Sequence, residues 1–69
     1  MTAGTIHPTA IVAPDAELAA GVEVGPNAII GPRVTVGART RIGAHAILER
    51  NVRLGADCGV GAGSILGGD

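Results

Sequence analysis

The sequence predicts an all-β chain wound into a parallel β-helix, and three observations carry that prediction. An aliphatic residue recurs at every sixth position from Ile6 through Val12, Leu18, Val24, Ile30, Val36, Ile42, Leu48, Leu54, Val60 and Leu66. Gly and Pro keep fixed places in this hexad: counting the aliphatic residue as position 1, Gly fills position 2 in seven of eleven hexads, and all four prolines fall at position 3. Residues eighteen apart are matched in sign, with Asp15 against Arg33, Glu23 against Arg41 and Arg39 against Asp57. A period of six is not helical, and no stripe at 3.6 residues competes with it.

Each hexad reads as one short strand and one corner. Positions 5 and 1 are two residues apart along the chain, so in a strand they share a face, and position 6 between them faces away. Position 5 is Ala, Val, Thr, Cys or Ser, and no charge occurs at position 1 or 5, so both are expected inside. Positions 2 and 3 are expected to form the corner. Gly there tolerates an unusual φ, and Pro fixes φ and donates no N–H. In chain order, the strands centred on Ile6, Val12 and Leu18 make a first triangular coil. Those on Val24, Ile30 and Val36 make a second, those on Ile42, Leu48 and Leu54 a third, and Val60 and Leu66 open a fourth. Residues 6–69 thus form roughly three and a half coils of eighteen, with residues 1–5 as a cap segment.

Position 6 separates the three sides of the prism. One side carries Ile11, Ile29, Ile47 and Ile65, eighteen apart; the others carry Glu17, Thr35, Arg53 and Glu23, Arg41, Gly59. One outward face is therefore apolar, flanked by the position-4 residues Thr9, Asn27, His45 and Gly63. An exposed ladder of four isoleucines calls for a partner, and a 69-residue chain without Phe, Tyr or Trp has little core of its own. The pattern predicts a closed homo-oligomer buried through Ile11, Ile29, Ile47, Ile65, Thr9, Asn27 and His45. It does not by itself choose dimer or trimer.

Composition excludes several functions. Net charge is −1, without lysine, and no aromatic is present to stack a base, so no nucleic acid is expected as a partner. The single Cys58 excludes an internal disulfide and, at position 5, is expected to be a buried thiol. No apolar run approaches the roughly 18 residues of a membrane span, so no membrane insertion is expected. The opening "MTAGTIHPTA" lacks the features of a signal peptide, and a cytoplasmic location follows as an expectation.

The pattern aliphatic-Gly-x-x-small-x resembles the hexapeptide-repeat acyltransferases, whose fold is a left-handed parallel β-helix. Within that group, "HPTAIV" (His7 to Val12) and "IGPRVTVG" (Ile30 to Gly37) are similar to the opening coils of the UDP-N-acetylglucosamine O-acyltransferases of lipid A synthesis. The stretch "SILGGD" (Ser64 to Asp69) resembles the residues just before that family's substrate-contacting segment. The resemblance implies a homotrimer with active sites in clefts between subunits, UDP-N-acetylglucosamine as acceptor and acyl carrier protein as acyl donor. It carries over no catalytic residue, because the family's general-base histidine lies beyond the stretch matched. The expectation is an N-terminal stretch of such an enzyme, inactive alone and self-assembling as a trimeric scaffold. Another hexapeptide acyl- or acetyltransferase is the alternative, as is a designed β-solenoid. Irregular corners such as Glu49-Arg50 argue for natural descent.

Other chemistry is weak. His45 has no Asp, Glu or Ser at a spacing that would orient it, and reads as a polar residue beside the interface rather than a general base. His7 reads as a turn residue. The zinc carbonic anhydrases of this fold need three histidines at subunit interfaces, and this chain has two in different phases, so no metal and no cofactor are expected. "GVGAG" (Gly59 to Gly63) lacks the third glycine and following helix of a phosphate-binding fingerprint. Thr9, Thr35 and Thr40 fall in different phases and form no ladder.

Overall fold

A computed structural model describes residues 4–67. Most of the expected cap segment, residues 1–3, and the final residues 68–69 lie outside the described residues. Eleven two-residue strands follow one another: β1 (Thr5–Ile6), β2 (Ile11–Val12), β3 (Glu17–Leu18), β4 (Glu23–Val24), β5 (Ile29–Ile30), β6 (Thr35–Val36), β7 (Arg41–Ile42), β8 (Ile47–Leu48), β9 (Arg53–Leu54), β10 (Gly59–Val60) and β11 (Ile65–Leu66). Every strand occupies positions 6 and 1 of a hexad. They stack into three parallel sheets, β1-β4-β7-β10, β2-β5-β8-β11 and β3-β6-β9. The register is eighteen throughout, as in Ile6 against Val24 and Val36 against Leu54. The chain is a parallel β-helix of triangular section.

Strands this short hold because each coil bonds the next. The position-6 N–H donates to the position-5 carbonyl one coil on, as Ile29 does to Ala46 at 2.8 Å. The position-2 N–H donates to the position-1 carbonyl one coil on, as Gly31 does to Leu48 at 2.7 Å. Inside, Val22, Ala28, Val34, Thr40 and Ala46 at position 5 interleave with Val24, Ile30, Val36, Ile42 and Leu48 at position 1, all buried. Small against large fills a narrow taper at close packing. Thr40 is the one buried polar side chain among the described residues. Its hydroxyl donates to the Gly55 carbonyl at 2.7 Å and accepts from the Cys58 N–H at 3.2 Å, bridging the ends of the turn above it.

The corner differs from the expectation. It spans positions 2 to 5, closed where the position-5 N–H reaches the position-2 carbonyl, as in Ala10 to His7 at 2.9 Å. Positive φ occurs at position 4, in Asn27, Arg33, Arg39, His45, Asn51 and Asp57 at 56 to 61° and in Gly21 and Gly63 at 76°. Proline at the second residue of a turn and positive φ at the third is the type II arrangement. None of the position-2 glycines has positive φ. Gly25, Gly31, Gly37 and Gly43 are needed for space instead: a Cβ on Gly37 would stand 2.5 Å from the Ala56 nitrogen, and one on Gly31 would overlap the Glu49 carbonyl oxygen.

The ends of the stack also depart from the hexad rule. Ile6 is exposed although it holds position 1. Cys58, expected inside, is exposed.

Candidate subunit interface

The four isoleucines stand in one column. Ile11 pairs with Ile29, Ile29 with Ile47, and Ile47 with Ile65, all in the sheet β2-β5-β8-β11. Alternation puts them outside while Val12, Ile30, Leu48 and Leu66 of the same strands turn in. Ile11 and Ile65 are about two-thirds exposed, at 63% and 64%, and Ile29 is 39% exposed, so the column's ends have the most apolar area left to bury. Ile47 is half-buried.

The other predicted residues flank this column in the corner that leads into it. Thr9 Oγ1 accepts the Asn27 N–H at 2.9 Å. It also lies 2.9 Å from His7 Nδ1, which accepts the Thr9 N–H at 3.2 Å. Since Nδ1 is an acceptor, the hydroxyl donates to it. This network replaces a backbone bond. Higher in the same column the His45 N–H donates to the Pro26 carbonyl at 2.9 Å, and Gly63 to Ala44 at the same distance. Thr9 lacks positive φ, so its hydroxyl serves where a carbonyl serves the coils above. His7 is thus a turn residue, as expected. The His45 side chain is exposed and has no side-chain hydrogen bond among the described residues, so nothing orients it as a base.

The remaining surface is polar. Of the three opposite-charge pairs expected across coils, two form. Arg39 and Asp57 make a two-pronged contact, Nε to Oδ1 at 2.8 Å and Nη2 to Oδ2 at 3.0 Å. Arg41 Nε lies 3.5 Å from Glu23 Oε1. Asp15 and Arg33 do not pair through their side chains. Asp15 Oδ1 accepts the Arg33 backbone N–H at 3.3 Å, while Arg33 Nε donates upward to Asn51 Oδ1 at 2.7 Å. Like Thr9, Asp15 lacks positive φ, and its carboxylate supplies the acceptor its corner would otherwise offer from the backbone.

Among the described residues no three His, Cys, Asp or Glu side chains gather as a metal-ligand group. Nor is any helix there long and apolar enough to cross a membrane.

A family model described as "Bacterial transferase hexapeptide (six repeats)" matches residues 4–38, half of the chain. No protein of curated function and no solved structure matches it.

Proposed function

The chain belongs to the bacterial transferase hexapeptide family, and from that premise we propose that it serves as an assembling β-helix segment of an acyltransferase. The in-register Ile11–Ile29–Ile47–Ile65 column carries this reading. A flat apolar stripe on one outward sheet is what a symmetric interface needs, and its removal from water is the driving force. Three copies arranged about an axis parallel to the prism would cover the stripe in each and bring Thr9, Asn27 and His45 to the edge of the cleft between neighbours.

The substrate class rests on the likeness of His7–Val12 and Ile30–Gly37 to the UDP-N-acetylglucosamine O-acyltransferases. On that basis the reaction served is acyl transfer from acyl carrier protein to UDP-N-acetylglucosamine, at the start of lipid A synthesis in the cytoplasm. The residues here supply scaffold and interface. His45 has no nucleophile or orienting acid within reach, so the chain by itself is proposed to be inactive.

Light scattering on the purified chain tests the assembly. The expected mass is three times 6.7 kDa. A well-folded monomer would remove the role given to the isoleucines. Acyl transfer by the chain alone, abolished in His45→Ala, would overturn the scaffold assignment.

A further inference from the structure

Charge is distributed unevenly along the solenoid axis. Residues 4–23 contain Asp15, Glu17 and Glu23 and no arginine. Residues 24–67 contain five arginines against Glu49 and Asp57. The third sheet, β3-β6-β9, displays this gradient openly. Its outward column is Glu17, Thr35 and Arg53, in register, and the corner before it carries Asp15, Arg33 and Asn51. All six side chains are exposed and line one shallow depression.

The spacing of Glu17 and Arg53 separates this column from the paired charges elsewhere on the surface. Glu23 and Arg41 are one coil apart and meet within the chain, as do Arg39 and Asp57. Glu17 and Arg53 are two coils apart with Thr35 between them, and neither has an ion pair among the described residues. Two coils span roughly 9.6 Å, too far for a direct contact.

We propose that the β3-β6-β9 face is a contact surface for a second copy of this chain running antiparallel. With the solenoids aligned, two copies can meet here about a two-fold axis in two ways, parallel or antiparallel. With the axis along the solenoid, the Asp15 column faces the partner's Glu17 column and carboxylates oppose carboxylates. With the axis across it, through the Thr35 row, Glu17 faces the partner's Arg53 and Arg53 the partner's Glu17. Asp15 then faces the partner's Asn51, while Thr35 and Arg33, which share the axial row, each face their own equivalents, and the Arg33 guanidinium is drawn away along the solenoid to Asn51 at 2.7 Å. A residue that meets its complement twice over is the signature of an isologous contact. Electrostatic complementarity of this kind selects orientation and suppresses the wrong one. The antiparallel arrangement also sets each acidic first coil against the basic coils of its neighbour. Three strands offer far less than the about 800 Å² per partner of a stable dimer, so the association is weak, concentration-dependent and screened by salt. The face is a different sheet from the one that carries the isoleucine column.

Sedimentation of the full chain over a concentration series tests this. In low salt, the average mass is expected to rise with concentration above that of the dilute species. The rise should disappear in about 1 M salt, where screening acts within about 3 Å. Glu17→Arg alone and Arg53→Glu alone should each lose the rise, with circular dichroism confirming an intact fold. An equimolar mixture of the two variants should regain it, because one then carries two cations and the other two carboxylates at the facing positions. Absence of any rise in the unmodified chain, or single variants that associate as before, or a mixture that stays dispersed, would each overturn the proposal.

Discussion

A single atom decides what position 2 of the hexad tolerates. Gly31→Ala sets a Cβ against the Glu49 carbonyl, which is backbone and cannot swing aside as a side chain would, so the coils must shift. Overpacking of this kind costs about 1–3 kcal/mol or more. Gly59→Ala, where a Cβ meets nothing within 4 Å and φ is not positive, is expected to be neutral or to raise the melting temperature slightly. Thermal melts of the two variants side by side check the contrast, and equal effects would contradict it. At position 4 the side chain matters through its charge. The hydrogen bond from the Arg39 guanidinium holds the Asp57 carboxyl below its ordinary 3.8. A carboxyl lowered in the folded state adds stability above its unfolded value and loses it as pH falls through the folded one. The Arg39–Asp57 contact is therefore complete at neutral pH and fades in acid below about 4. Both side chains are largely exposed, so the contribution to folding is small. In Arg39→Gln, an NMR titration should find Asp57 returned toward the ordinary value.

At the scale of one strand, two residues form an element only because the next coil completes it. Ile42 is buried between Val24 and Val60 of the coils on either side, so a charge placed there has no route to water. Ile42→Asp is expected to abolish the cooperative melt, since an unpaired buried carboxylate costs several kcal/mol against a total stability of about 5–15 kcal/mol. Arg41→Asp on the same strand, pointing outward, should leave a folded chain. If Ile42→Asp melted like the parent, the inward assignment of position 1 would fail. The same alternation made the strands legible beforehand: β1 to β11 lie where the aliphatic hexad places them. The corners were legible in part. The signal for positive φ was present at position 4, where Asn, Asp, Gly and His gather, and these residues accept the left-handed region most readily. Gly at position 2 masked it, because a glycine chosen for space looks in sequence like one chosen for φ.

For the whole molecule, the isoleucine column is the largest unsatisfied feature. Full burial of an Ile contributes about 1.5–3 kcal/mol, and Ile29 and Ile47 have already realised part of that within their own sheet. What assembly adds therefore comes mostly from Ile11 and Ile65. Ile29→Glu combined with Ile47→Glu should place two carboxylates in the middle of the stripe and yield unfolded or aggregated monomer. A trimer of unchanged mass from that variant would show that the column is not the interface.

The period of six determined the winding, the inward and outward sets, the eighteen-residue register and the apolar face, because each is a consequence of which residues a repeating strand can bury. Tertiary structure alone decided whether a given position was covered. Ile6 and Cys58 obey the inward phase and are nevertheless exposed. It also decided which partner a charge takes. Asp15 and Arg33 have the right spacing to pair, yet the carboxylate is drawn to a backbone N–H and the guanidinium to Asn51. Turn geometry orients donors and acceptors within a few ångströms, and a residue count does not carry that information.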